Sequence, residues 1–384
     1  MKRTTLFFFG LFLLPALSQA RAVSIGLASN FSEVSTGSSN PYGGYFKDGV
    51  SLAIKDSGAR LKKAGITVKL SLFDYGATDA RVLEATRSAL ASNVVAVLGY
   101  NYSSNALLAA PLHQAGKLSM ITPSASANRL GTMGRYIHMG SFNNEFMGES
   151  LARVAKERLK VKRAVMLPAA NCAYCADLAD SFEKSFLKEG GEIVARLPVL
   201  SEDRDFSGIV QKLKELSFDM ILVPNQELTS ARIIAAIRRA GINKPFLGAD
   251  GWGNVGQEFF GILGGVDFTG FSVSHWHEGL KSTESQSFVK RYKAEYGKTP
   301  NDTSVLAYDS MLLIIEATLR AKEPTREALE NSLSSIKAFR GVTGKFEMSP
   351  NEAPRKSLVL LKANGKKFEV VGSIDPSPRK TGVR

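Results

Sequence analysis

The sequence predicts an α/β fold, with parallel sheets covered by helices on both faces and the chain divided between two domains. Apolar β-branched runs alternate with amphipathic helical patterns almost throughout, the mark of strand–helix–strand units. The chain has 384 residues, 44% of them apolar, which suffices for two separate cores. No segment is of low complexity, so disorder is expected only at the ends.

The opening stretch MKRTTLFFFGLFLLPALSQARA reads as an export signal. Lys2 and Arg3 precede an apolar run from Leu6 to Leu17, and small residues follow at Ser18 and Ala20, or at Ala20 and Ala22. A spanning helix needs roughly 20 apolar residues, more than this run offers. Cleavage is expected after Ala20 or Ala22, and no cysteine follows the run to take a lipid. The rest is expected to be a soluble, exported protein.

The elements then follow in order. AVSIGLA (22–28) has the pattern of a buried strand, and an amphipathic helix is expected from Tyr42 to about Lys63. ITVKLSLFDYG (66–76) alternates as a half-buried strand. DARVLEATRSALAS is helical, VVAVLGY (94–100) a strand, NALLAAPLHQAG a helix and LSMITPS a strand. The rhythm continues through RAVMLPAA, DLADSFEKSFLKEGG, EIVARLPVL, FSGIVQKLKEL, FDMILVPN, SARIIAAIRRAG, KPFLGAD and EFFGILGG. TGFSVSHWH adds a strand, and helices are expected over 283–297, 303–321 and 325–336. The C-terminal stretch reads as strands joined by turns, one of them at ANGKK.

In open parallel sheets, ligands bind beyond the carboxyl ends of the strands. The segments there are NPYGGY, GYNYSSNA, ITPSASAN, ANCAYCADL, VPNQELTS and GADGWGN. They are rich in hydroxyls, small residues and tyrosines. Their acids are Glu227 and Asp250, with Asp177 just inside a helix. This suits a small neutral or zwitterionic ligand and not polyphosphate chemistry. The formal net charge is +13, but the cations of RLKKAG, KERLKVKR and IRRAG read as solvated helix ends. No stacking aromatics interleave them, so no nucleic-acid partner is expected.

In order and spacing, GYNYSSNALLAAPLHQAGKLSMITPSASANRL (99–130), PFLGADGWGN (245–254), NDTSVLAYDSMLLIIEA (301–317) and FRGVTGKFEMS (339–349) resemble the periplasmic type I solute-binding proteins. The resemblance is to the leucine/isoleucine/valine-binding receptors of ABC transporters and spans essentially the whole mature chain. It implies two doubly wound parallel-sheet lobes joined by a three-strand hinge. The lobes would be 23–142 plus 274–349 and 143–273 plus 350–375, after a signal peptide at 1–22 and before a tail at 376–384. It also implies a periplasmic monomer that takes a small molecule, an amino acid or analogue, closes over it and delivers it to an ABC permease in the inner membrane.

The family's ligand contacts fall on particular residues. The carboxylate-holding serine matches Ser104, and the small-small-hydroxyl loop matches Ser124, Ala125 and Ser126. Hydroxyls and a helix N-terminus are what a carboxylate wants, although serines at helix starts also serve as caps. The acid that pairs with a ligand ammonium matches Asp250, where relatives often carry glutamate; it also suits a turn before glycine. Tyr42 and Tyr174 match family tyrosines. An aromatic contact of relatives falls at Gln226 or Glu227, which favours a ligand with an extra polar group, since an unpaired polar wall costs about 1–3 kcal/mol per group.

Other motifs have simpler explanations. GWGNVG (251–256) satisfies G-x-G-x-x-G, but no acid is well placed about 20 residues on; turn glycines explain it, and no cofactor is expected. His275 and His277 with Glu278 lack a second ligand cluster, since His113 and His138 lie far off, so no metal is expected. No G-x-S-x-G elbow appears, and nothing compels an enzyme. The two cysteines of the chain, Cys172 and Cys175, flank Tyr174. Three readings stay open for them: a disulfide that stiffens the tyrosine's loop in an oxidising compartment, two free thiols, or a catalytic or metal pair. The functional expectation is thus an amino-acid receptor of an ABC transporter. The alternatives are a sensor of the same fold for amides, urea or aromatic acids, and a periplasmic thiol oxidoreductase.

Overall fold

The computed structural model describes residues 21–32, 41–253, 257–349, 351–364 and 367–376. Residues 1–20 of the expected signal lie outside them, as does the tail beyond Pro376. The first lobe starts with β1 (Arg21–Ser29), α1 (Pro41–Asp56), α2 (Gly58–Lys63) and β2 (Ile66–Asp74). It continues with α3 (Asp79–Ala91), β3 (Ala96–Gly99), α4 (Ser103–Ala115), β4 (Ser119–Thr122) and β5 (Ile137–Met139). Its five strands are all parallel, in the order β2-β1-β3-β4-β5. Position in the sheet explains the sequence patterns. Central β1 is buried from Ile25 onwards, whereas edge strand β2 alternates and exposes Thr67 and Lys69. The long helix expected after Tyr42 is broken at Ser57–Gly58, where serine and glycine weaken helical continuity.

The second lobe takes α5 (Asn144–Val154), β6 (Arg163–Met166), α6 (Ala173–Lys188), β7 (Glu192–Arg196) and α7 (Ser207–Glu215). β8 (Met220–Leu222), α8 (Glu227–Arg239), β9 (Phe246–Gly248), α9 (Gln257–Leu263) and β10 (Gly270–Ser274) follow. The chain then returns as α10 (Thr283–Tyr296), α11 (Asp302–Arg320), α12 (Arg326–Ser335) and a hairpin of β11 (Ala338–Gly341) and β12 (Gly344–Glu347). It crosses back to end as β13 (Leu358–Asn364) and β14 (Lys367–Ile374). The second sheet runs β14-β13-β10-β9-β8-β6-β7. It is parallel except at the β13–β14 edge, where a hairpin pairs antiparallel to β10. Three crossovers link the lobes, near 140–143, 275–282 and 348–357.

Each lobe has its own apolar filling. Val23, Ile25 and Leu27 pack with Phe46 and Val50 of α1 and Leu306 and Ile314 of α11 on one face of the first sheet. Val97, Ala109 and Met120 line the other face. In the second lobe Val165, Ile221, Phe182, Ile234 and Trp252 share a core. Each such buried aliphatic contributes about 2 kcal/mol. α1 and α11 meet at Gly49, where a Cβ would stand 2.1 Å from the Ser304 carbonyl oxygen. Among the described residues no helix is long and apolar enough to cross a membrane.

Candidate binding cleft

A strained turn after β3 aims the first wall of the cleft. Gly99 has φ 158° and a Cβ on it would stand 2.1 Å from the Ala28 carbonyl oxygen, so only glycine fits. Tyr100 then takes the left-handed region at φ 58°, a conformation that persists only when its surroundings hold it. Its ring stacks on Tyr75, centroids 5.8 Å apart, and its hydroxyl lies 2.9 Å from Thr86 Oγ1 and 3.3 Å from His113 Nε2. Thr122 Oγ1, at the end of β4, donates to the Tyr100 carbonyl at 2.9 Å. The result turns Asn101, Tyr102 and Ser103 into a cavity between the lobes, which Ser124, Ala125, Ser126, Tyr174, Gln226, Asp250, Gly251 and Thr303 also line.

Hydrogen bonds decide what each serine can offer. Ser124 Oγ donates to the Asn101 carbonyl at 2.9 Å, and Ser126 Oγ donates to Asn144 Oδ1 at 2.8 Å. Both protons are spent within the protein. Ser103 Oγ instead accepts from the Ser126 and Ala127 amides at 3.3 and 3.2 Å. With both lone pairs used, its proton is left for the cavity. Ser103 also opens α4, whose N-terminus carries no side-chain cap. α8, which begins at the opposite wall behind Gln226, carries none either. Elsewhere α3, α5, α10, α11 and α12 are capped by Thr78, Asn143, Ser282, Asn301 and Thr325, whereas α2 and α7 also lack a side-chain cap. The uncapped start of α4 thus points donors and partial positive charge into the cavity, while α8 carries the acid Glu227 in its first turn.

The opposite wall is built around an acid. Cys172 and Cys175 are joined by a disulfide across the first turn of α6. Between them Tyr174, 5% exposed, donates its hydroxyl proton to Asp250 Oδ1 at 2.6 Å and accepts from the Gly251 amide at 3.4 Å. His275 Nε2 lies 3.0 Å from Asp250 Oδ2. Burial, reinforced by Asp250, pushes the Tyr174 hydroxyl well above its ordinary pKa, so it stays a proton donor. Burial pushes His275 down, against the pull of Asp250 upwards. Behind them Asp302 accepts from Ser274 Oγ at 2.5 Å, and burial raises its carboxyl to about 7. Lys356, 1% exposed, donates to Thr343 Oγ1 at 2.7 Å and is pushed down to about 8 by burial, against the opposing pull of Asp309 and Asp302.

The structure thus brings Ser124, Ala125, Ser126, Tyr174, Gln226 and Asp250 to one cavity. Ser104 is not among its lining: the side chain is exposed, with its hydroxyl 3.5 Å from Asn105 Oδ1. Neighbouring helical residues point about 100° apart, so one serine of the YSSN pair must turn away, and Ser103 is the one that faces inward. Tyr42 lies in the first turn of α1, but its side chain is outside the described residues. The sequence did not single out Ser103 and Thr303, which also line the cavity, nor the contact of His275 with Asp250. It also missed a tie between the lobes: the Asn128 amide and Nδ2 donate to Asp177 Oδ2 and Oδ1 at 2.7 and 2.9 Å, and Nδ2 also reaches Ser181 Oγ at 3.0 Å. The acid of that tie had been visible as Asp177 in the cleft loops. Among the described residues no group of three or more His, Cys, Asp or Glu could hold a metal ion.

A family model described as periplasmic binding protein matches residues 22–367. The chain belongs to the periplasmic binding protein family. A Leu/Ile/Val-binding protein of Citrobacter freundii is 23% identical to this periplasmic binding protein over 215 residues, 56% of this chain and 58% of that protein. The match therefore spans a little over half the length of that relative. Among solved structures, the branched-chain amino acid transporter substrate binding protein of Streptococcus pneumoniae in complex with isoleucine is similar at a TM-score of 0.82. It is 26% identical, and the match covers 93% of this chain and 100% of that one. An ABC transporter solute binding protein of R. palustris in complex with benzoate has a TM-score of 0.81 at 20% identity, over 92% of this chain and 97% of that one. The fold is thus the two-lobed type I form.

Proposed function

We propose that this periplasmic binding protein is the receptor of an ABC importer, and that it captures a small carboxylate-bearing solute, an amino acid first, by closing its lobes. One observation carries the reading. A single cavity sets the Ser103 proton and the uncapped start of α4 on one lobe against the Asp250 carboxylate on the other. A zwitterion fits that polarity, with its carboxylate on the first wall and its ammonium on the second. The walls come from different lobes, so the ligand gains the second contact only in the closed state. That differential contact is what a population shift requires. The partner that fits this role is an ABC permease in the inner membrane, reached by a monomer in the periplasm. Cleavage after Ala20 keeps Arg21, which pairs with Ile66 in the sheet and donates to the Ala321 carbonyl at 3.2 Å.

Calorimetry with L-leucine, L-isoleucine, L-valine, L-threonine, L-alanine, benzoate and 4-hydroxybenzoate tests this. Micromolar binding, about −8 kcal/mol, is expected for an amino acid, weakened about tenfold or more in Asp250→Ala and in Ser103→Ala. No binding across the panel, or unchanged affinity in both variants, sinks the reading. A second reading keeps the carboxylate site and drops the amine. Tyr174 and His275 already occupy one position on each Asp250 oxygen, so an aromatic acid leaves no orphaned carboxylate there. Binding of benzoate or 4-hydroxybenzoate without any amino acid selects it.

A further inference from the structure

We propose that His275 is the positioning residue of the cleft: it holds the Asp250 carboxylate in place for a ligand and ties it to the point where the three crossovers meet. The inference rests on reading the cavity as the ligand site.

Four observations carry it. His275 sits on the second crossover, one residue past β10, and is 1% exposed. Its ring stacks on Phe142 of the first crossover, with centroids 4.0 Å apart and planes 26° from parallel. Lys356 of the third crossover lies with its Nζ 5.8 Å from the centre of the same Phe142 ring. Nε2 of His275 reaches Asp250 Oδ2, whose other oxygen takes the Tyr174 proton. Asp250 is thus joined through one imidazole to all three crossovers.

The geometry also assigns the proton. Nδ1 of His275 is buried and has no hydrogen-bond partner. A proton on Nδ1 would be unpaired, and the Nε2 lone pair would then face a carboxylate oxygen. A single proton on Nε2 removes the repulsion and makes the bond to Asp250. The titratable groups that face this ring are Asp250, with Tyr174 behind it on α6, and Lys356 from the third crossover. Asp302 of α11 accepts from Ser274, next to His275 in the chain. Lys356 and burial act against a second proton on the ring, and Asp250 acts for it. Phenylalanine could supply the stack but not the bond, and glutamine the bond but not the stack.

The test uses the full mature chain and two readouts. Long-range ¹⁵N–¹H spectra of the imidazoles, with His275 assigned by its loss in His275→Gln, are expected to show a neutral ring protonated on Nε2. That pattern is expected to vanish in Asp250→Ala. A proton on Nδ1, or a pattern indifferent to Asp250→Ala, overturns the proposal. The second readout is affinity for L-leucine and for 4-methylpentanoate, its analogue without the amine. His275→Phe is expected to weaken L-leucine about tenfold while leaving 4-methylpentanoate unchanged, and His275→Gln to stay within about threefold of wild type. In an Asp250→Ala background His275→Phe is expected to add nothing. Equal losses for both probes, or an undiminished loss without Asp250, also overturn it. If the wild type binds neither probe, the functional reading is what has failed, and the imidazole spectra alone decide the role of His275.

Discussion

At the residue scale, the cleft leaves particular hydrogen-bonding positions open. Ser103 keeps a proton because its lone pairs are taken by two backbone amides, while Ser124 and Ser126 have spent theirs. Asp302 illustrates the cost of burial. Its carboxyl is raised to about 7 from an ordinary 3.8, because a buried carboxylate loses solvation that Ser274 only partly replaces. A raised acid pKa means that the native state prefers the protonated form. This contribution to stability is fully present below about pH 3.8 and is lost as pH rises through about 7. Asp302→Asn imitates the neutral acid at every pH. Denaturant unfolding between pH 5 and 7.5 is therefore expected to show the wild type losing on the order of a few kcal/mol relative to the variant. Lys356, at about 8, begins to titrate only near the top of that window. Parallel curves for the two proteins would refute the buried-acid account.

At the element scale, α6 is the helix on which the second wall depends. Its N-cap is Cys172, whose sulfur accepts from the Cys175 amide at 3.2 Å, and the disulfide closes over the turn that carries Tyr174. A loop of so few residues restricts the unfolded chain little, so the bridge adds little through chain entropy. Its effect is expected in the position of Tyr174 and, through it, of Asp250. Reduction with a phosphine is thus expected to weaken binding of the best amino acid of the panel severalfold while hardly moving the melting temperature. A large fall in melting temperature with intact binding would show the bridge to be a stability device instead.

At the scale of the whole molecule, side chains tie the two lobes to each other directly. Asn128 on the first lobe makes three hydrogen bonds to Asp177 and Ser181 on α6 of the second. The Asp177 carboxylate is shared further with Asn144 Nδ2 at 2.9 Å, where the first crossover enters α5. The contact bridges the two lobes, and each of its two bonds to Asp177 is worth about 1.5–3 kcal/mol because the acceptor is charged. Asn128→Ala is expected to shift the free protein toward the open form, seen as a larger radius of gyration in small-angle scattering, with a matching loss of ligand affinity. An unchanged radius and affinity would mean that the tie does not govern closure.

The sequence by itself determined the fold class, the order of nearly all elements and the loops that form the cleft. Strand and helix periodicity report burial directly, and the first residues after parallel strands must gather at one edge. Tyr174, Gln226 and Asp250 were legible there for that reason. What only the tertiary structure decided is direction and partnership. The pair Ser103–Ser104 is symmetric on paper; the left-handed Tyr100 and the start of α4 choose which hydroxyl faces inward. His275 stood in the sequence only as half of a histidine pair too poor in ligands for a metal, because nothing local says that the chain will bring Phe142, Asp250 and Lys356 around it from three distant segments. The antiparallel pairing of β13 with β10 and the Asn128–Asp177 tie likewise depend on neighbours far along the chain. Periodicity records which face of an element is buried, and it carries no record of what stands opposite.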